Sequence, residues 1–224
     1  MKNKLLALWS GVFGKKVNLK NRFTEIYEKN LFNGVDSISG QGSDMFQTRI
    51  ISVEIPKLLN KLNVKTFLDA PCGDFFWMQH VDLSGINYVG LDIVDQLVAN
   101  NNNQYGNDSR KFVCKNIVND LLPDGELIMI RDCWVHLSNA NVLASVDNLK
   151  RSNVKYLLTT SFPNVKSNPD LTGIWRPLNL TLPPFNFPQP IEVITEGCTE
   201  NEGRYADKSL MLWEISDLPT VDRP

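Results

Sequence analysis

Two aspartates in the first half of the chain each close a short apolar run and stand before a bend. Asp69 ends Thr-Phe-Leu-Asp and leads into Ala70-Pro71-Cys72-Gly73-Asp74. Asp92 ends Asn-Tyr-Val-Gly-Leu-Asp, 23 positions later. A carboxylate at such a strand end can accept hydrogen bonds from both ribose hydroxyls of an adenosine, and the spacing is common to several adenosine-bearing cofactors. A third run ends in Arg131-Asp132-Cys133-Trp134-Val135-His136-Leu137-Ser138. In open α/β sheets the ligand crevice lies outside the carboxyl ends of the strands, so Asp132 and His136 are expected beside a reacting centre. His136 is a candidate general base, with Asp132 to orient or replace it. A histidine there can equally pack beside a cofactor. His80 reads as an ordinary residue of a helix after Gly73.

These residues need strands to carry them. Thr66–Ala70, Asn87–Asp92, Lys111–Cys114, Glu126–Arg131 and Val154–Ser161 are apolar without clean alternation, as in strands buried on both faces of a parallel sheet. Between the last two, Ser138 can cap a helix whose Val142, Val146 and Leu149 share one face. Upstream, Phe46–Leu62 has helical spacing, and Pro56 is expected to kink or divide it. Ile191–Glu196 and Ser209–Ile215 are two more strands. Only segment 197–208 joins them. A parallel pair needs a crossover of about a dozen residues or more, usually a helix. This segment is polar, carries two glycines and has no apolar helical period, so they should form an antiparallel hairpin at one edge. The prediction is an α/β doubly wound, mostly parallel seven-stranded sheet with a final antiparallel strand.

With this topology, Phe67-Leu68-Asp69-Ala70-Pro71-Cys72-Gly73-Asp74 resembles the first motif of class I S-adenosylmethionine-dependent methyltransferases. Asp69 and Gly73 match its acidic residue and a glycine, while Pro71 and Phe75 replace the first and third glycines. The resemblance runs from Phe67 to Ile215 and implies a Rossmann-like fold. It implies S-adenosyl-L-methionine as cofactor, held by Asp69, Ala70, Cys72, Gly73, Asp92, Ile93, Asn116, Ile117 and Arg131. Asp69 would lie near the amino group, Asp92 at the ribose, and Asn116 with Ile117 at the adenine. The strand end R-D-x-x-V-H-L, the segment R-P-L-N-L and D-K-S-L resemble a subgroup associated with surface-polysaccharide synthesis. Methylation of an oxygen on a small polar acceptor, such as a sugar or glycan precursor, is the expected reaction. The strand ending at Ser161 carries no acid, so a metal-independent mechanism is expected. Two alternatives remain. One is a nicotinamide (NAD)-dependent oxidoreductase of doubly wound fold, disfavoured by the missing glycines and the short final linker. The other is an inactive cofactor-binding subunit of a glycan-assembly complex.

Seven of the 12 prolines fall within 162–190, which excludes a long helix there. Its aromatic residues argue for an ordered cap over the sheet's carboxyl edge. Trp77, Trp175, Arg176 and Tyr205 are candidates for the acceptor pocket. Ser39-Gly40-Gln41-Gly42-Ser43 reads as a lid over the cofactor, with Gln47 or Thr48 nearby. The chain therefore divides into an N-terminal helical extension with the lid (1–45), a cofactor-binding domain (46–216) and a tail (217–224). In 224 residues there are 23 basic and 25 acidic side chains, and 42% of residues are hydrophobic. That near-neutral balance provides no global field for nucleic acid. Four widely spaced cysteines suit reduced thiols in a cytoplasmic enzyme. Residues 1–16 are too short an apolar stretch to span a bilayer; they suit an amphipathic helix, with weak membrane-surface contact through Trp9 and Phe13 as the sharper alternative. The sequence does not decide the oligomeric state.

Overall fold

The computed structural model describes residues 18–171 and 175–220. The expected contact through Trp9 and Phe13 falls outside them. No helix among the described residues is long and apolar enough to cross a membrane.

The strands are β1 (Thr66–Asp69), β2 (Asn87–Asp92), β3 (Arg110–Cys114), β4 (Leu127–Ile130), β5 (Tyr156–Ser161), β6 (Glu192–Thr195) and β7 (Ser209–Glu214). They form one sheet in the order β3-β2-β1-β4-β5-β7-β6. The first five run parallel, and β7 enters antiparallel between β5 and β6. The fold is the mixed, mostly parallel doubly wound sheet that the sequence predicts. Because β7 runs backwards, the residue before it and the residue after β6 lie at the same edge as the carboxyl ends of β1–β5.

The central strands are buried along nearly their whole length, which accounts for their unbroken apolar runs. Helices α1 (Leu19–Glu28), α2 (Met45–Thr48), α3 (Ile51–Lys61), α4 (Asp95–Tyr105) and α5 (Asn139–Lys150) surround the sheet. On one face Ile51, Ile55, Leu58 and Leu59 of α3 pack with Val98 of α4 on Phe67, Leu127 and Leu212. On the other, Val142, Val146 and Leu149 of α5 pack on Ile128, Leu157 and Trp213, and Leu19 and Phe23 of α1 adjoin them. Ser138 caps α5, its hydroxyl accepting from the Asn141 N–H at 3.3 Å.

Three expectations are corrected. The break in the 46–62 helix falls at Arg49–Ile50, and Pro56 lies inside α3. The segment between β1 and β2 is not an α-helix: a 3-10 turn, Met78–His80, is its one helical turn, and His80 is exposed there. Phe75, Trp77, Met78 and Val81 are all buried and spaced as on one helical face, but Phe75 has φ +59°, a left-handed conformation that a right-handed helix excludes. Finally, the Pro-rich segment is only partly a cap. Leu178, Leu180, Phe185 and Phe187 pack into the α5-side core, filling the place of a helix between β5 and β6.

Candidate active site

A cavity of about 450 Å³ opens at the carboxyl ends of β1, β2, β3 and β4. Its walls include Asp69, Cys72, Gly73, Asp92, Ile93, Asn116, Ile117, Arg131, Asp132 and His136. Ten of the eleven sequence-derived site residues thus meet in one space. Ala70 is fully buried behind it and does not line it.

The bend after β1 is tightly built. The Ala70–Pro71 peptide is cis, and Gly73 has φ +56°. Ser39 Oγ lies 2.3 Å from where a Cβ on Gly73 would stand, so the bend admits no side chain. The Gly73 N–H donates to Asp92 Oδ2 at 3.3 Å, and the Val94 N–H donates to Asp92 Oδ1 at 3.0 Å. Each Asp92 oxygen retains acceptor capacity for a further donor, as two ribose hydroxyls would require. Tyr88 donates its hydroxyl to Asp69 Oδ2 at 2.7 Å. Asn116 Oδ1 accepts from the Val118 N–H at 3.0 Å, which leaves one lone pair for an incoming amine.

Burial dominates the electrostatics of the two strand-end acids. It pushes the Asp69 carboxyl up to about 7, against the pull of the Tyr88 hydrogen bond and of Arg131. It pushes Asp92 up to about 6, against N–H donation from Val94 and Gly73. Both carboxylates stand at the cavity wall with too little compensating positive charge, so the cavity favours a cation.

Asp132 is in a different setting. Its backbone has φ +51°, fixed by its N–H donating to Thr160 Oγ1 at 2.9 Å. Its Oδ2 meets Lys208 Nζ at 2.5 Å and Arg131 Nη1 at 3.5 Å. Burial would raise this carboxyl, but Lys208 and Arg131 outweigh it and hold it below the usual carboxylate range. Asp132 is therefore a weak proton acceptor. Arg131 donates through Nε and Nη2 to Glu196 Oε2 at 3.2 and 2.6 Å, and through Nη2 to the Gly42 carbonyl at 2.8 Å. Lys208 Nζ also stands 3.5 Å from Glu196. Arg131, as one of the residues expected to hold the cofactor, is thus already committed to an ion-pair network. His136 lines the cavity with its ring centroid 4.9 Å from that of Phe32.

The 39–43 segment lies against this site. Ser37 Oγ and the Ile38 N–H donate to Asp74 at 2.9 Å each, and Arg131 holds the Gly42 carbonyl. Gln47 bonds Thr199, while Thr48 is buried and donates to the Asp44 carbonyl. Trp77, Trp175 and Tyr205 line the cavity. Arg176 does not: its guanidinium donates to the Pro169, Trp134 and Val135 carbonyls and to Asn139, fastening the Pro-rich segment to the loop before α5.

Lys208 and Glu196 are the members of the Arg131 ion-pair network that reading along the chain missed. Their signal is topological. Once β7 is antiparallel, Lys208 before it and Glu196 after β6 must both reach the ligand edge.

No protein-family model and no curated protein sequence matches the chain. Solved structures match it in fold. The 1,6-didemethyltoxoflavin-N1-methyltransferase of Burkholderia thailandensis, with bound substrate and S-adenosylhomocysteine, has a TM-score of 0.59 at 13% identity, covering 88% of this chain and 86% of that one. Human N-acetylserotonin methyltransferase in complex with its methyl donor has 0.57 at 12%, covering 88% of this chain. The chain spans 59% of that human enzyme's length. An S-adenosylmethionine-dependent methyltransferase of Clostridium acetobutylicum has 0.55 at 12%, covering 87% and 98%. The architecture is therefore the Rossmann-like fold of class I methyltransferases.

Proposed function

We propose that the protein is an S-adenosylmethionine-dependent methyltransferase acting on a hydroxyl of a small polar acceptor, such as a sugar or glycan precursor. The observation that carries this reading is the pairing of two buried acids, Asp69 and Asp92, around the side-chain-free bend at Gly73. The fit of the residues to this cofactor rests on three features. Glycine at position 73 takes the left-handed φ of the bend and lets Ser39 of the 39–43 segment lie directly against it, where a Cβ would collide. Asp92 has acceptor capacity for a diol. Uncompensated carboxylates suit an ammonium and a sulfonium.

When bound, S-adenosylmethionine supplies a methyl group on an electrophilic sulfur. The chain's residues do the rest. Asp69 takes the amino group, Asp92 the ribose hydroxyls, and Asn116 with Ile117 the adenine edge. The 39–43 segment closes over the bend and keeps water out. His136 accepts the proton of the attacking hydroxyl, and Asp132, ionised and paired, supplies a fixed negative charge near it. In this reading 46–216 is the catalytic domain.

Thermal melting with S-adenosylmethionine, S-adenosylhomocysteine and NAD in parallel tests the proposal. A ligand at 100 times its Kd adds about 2.7 kcal/mol to stability. Stabilisation by the first two and not by NAD is expected; stabilisation by NAD alone overturns the reading.

A further inference from the structure

The cavity continues along the sheet from the Asp69–Asp92 end, past Asp132 after β4, to residues after β5 and before β7. At about 4.8 Å per strand, β5 and β7 lie roughly 10 and 14 Å from β1. This end has its own chemistry. Phe162, Trp175 and Tyr205 form a triangle with centroids 5.9, 5.8 and 4.9 Å apart, each pair edge to face. Rings this close leave no room for an ammonium group among them, since a cation cage needs ring faces converging on a central gap. Trp175 and Tyr205 are only half-buried, so the cluster is a platform that an acceptor can lie against.

Polar tips converge in the same cavity. The point where a Cβ on Gly42 would stand is 3.3 Å from Asp132 Oδ2, 3.5 Å from Glu200 Oε2 and 3.6 Å from Lys208 Nζ. Both cations of the cluster are committed, Arg131 to Glu196 and Lys208 to Asp132. With Asp132, Glu196 and Glu200 set against Arg131 and Lys208, the cluster holds one carboxylate in excess. An anionic group entering here meets net negative charge and no uncommitted cation of the cluster. Hydroxyl donors, by contrast, suit carboxylate acceptors.

We propose that this end is the acceptor subsite, and that it takes an uncharged polyhydroxylated ring, lying on Trp175 and Tyr205 with hydroxyls towards Asp132 and Glu200, and rejects phosphorylated or carboxylated sugars. The assignment rests on the methyl-transfer reading and narrows it by charge.

The test is an NMR titration of the tryptophan indole N–H signals in protein saturated with S-adenosylhomocysteine, with the Trp175 signal assigned from Trp175→Phe. The probes are methyl glycosides of neutral hexoses, the matching hexose 6-phosphates, and the uronic acids. Neutral glycosides should shift the Trp175 signal and bind about tenfold more tightly than either anionic form. Trp175→Ala and Tyr205→Ala should abolish glycoside binding and keep the rise in melting temperature with S-adenosylhomocysteine. Tighter binding of a phosphorylated or carboxylated sugar overturns the proposal. So does a Trp175 signal that no neutral glycoside moves at millimolar concentration in protein that the nucleoside stabilises. If the nucleoside itself fails to stabilise the protein, the methyl-transfer reading falls first.

Discussion

Asp132 and Lys208 lie 76 positions apart and meet at 2.5 Å, joining the end of β4 to the start of β7 across the ligand edge of the sheet. The Lys208 side chain is 5% exposed and that of Asp132 is 26% exposed. Replacing Lys208 by Met leaves Asp132 and Glu196 sharing Arg131 alone. Removing one partner of a buried pair costs about 3–5 kcal/mol, and the partial exposure of Asp132 places this pair near the lower figure. Adding Asp132→Asn to Lys208→Met should recover part of that loss. The folded-state carboxyl of Asp132 is depressed, so its contribution exists above the unfolded value of about 3.9 and disappears as pH falls through the folded value. Urea midpoints at neutral pH and below about pH 4 check both points: the gap between wild type and Lys208→Met should be wide in the first and narrow in the second.

Asp69 and Asp92 give the opposite pH dependence. Their folded-state values of about 7 and about 6 lie above the unfolded value of about 3.9. The folded, ligand-free protein therefore binds more protons than the unfolded chain across that window, and stability falls as pH rises through it. A cationic ligand reverses this, because its charge favours the ionised acids. Binding near pH 6 should release protons, and calorimetry in buffers of different ionisation enthalpy measures how many. Asp69→Asn should flatten much of the melting-temperature decline between acidic and alkaline buffer. An unchanged decline would remove Asp69 from this account.

Gly73→Ala should weaken both the fold and ligand binding. The left-handed φ of +56° costs a residue with a Cβ about 1–2 kcal/mol, and the new methyl also meets Ser39 Oγ. Ser39→Gly added to Gly73→Ala relieves the contact and leaves the backbone cost. Melting of the two variants separates these terms. The double variant should recover part of the stability.

These residues differ in how far the sequence reveals them. Asp69, Gly73 and Asp92 are legible because each is fixed by its own strand, whose apolar run marks its position locally. The sheet is legible because burial on both faces leaves long apolar strings such as Leu127–Ile130. The segment after Gly73 is not: Phe75, Trp77, Met78 and Val81 have helical spacing and share one core cluster, but the left-handed backbone at Gly73 and Phe75 makes the segment an irregular loop. Pro56 sits within α3 although its ring removes a backbone donor, because Ile51, Ile55, Leu58 and Leu59 hold the helix on the sheet. The role of Arg176 was open between ligand and scaffold, since a guanidinium suits a phosphate and a cluster of carbonyls alike. The partners of Lys208 could not be read locally, because contacts over such separations follow from strand order.

Asp74 should prove to be a fastening for the 37–39 segment. Its carboxylate, in the turn after β1, accepts from Ser37 Oγ and the Ile38 N–H. Asp74→Ala leaves donors without acceptors, a local cost of about 1–3 kcal/mol where they stay buried. Hydrogen exchange should accelerate at residues 37–43 while the amides of β1 and β4 keep their protection. Affinity for S-adenosylhomocysteine should fall in parallel. Equal acceleration across the sheet would mean that Asp74 supports the whole fold and not this segment.

His136 offers the sharpest separation of chemistry from binding. It stands at the cavity wall against Phe32, beyond the residues proposed to hold the nucleoside. Asp132, the other candidate base, is kept ionised by Lys208 and Arg131 and takes up a proton poorly at neutral pH. Proton transfer from an acceptor hydroxyl then falls to the imidazole. General base catalysis is typically worth about 10²–10⁴-fold, so His136→Ala should lower kcat by that order with the true acceptor. The Kd for S-adenosylhomocysteine should change little, because the nucleoside's proposed contacts lie on β1, β2 and β3. Asp132→Asn should lower kcat less, through lost charge rather than a lost proton acceptor. Single-turnover rates across pH distinguish the roles: losing the base should remove the acidic limb of the profile, whereas losing a packing residue should lower the whole profile and keep its shape.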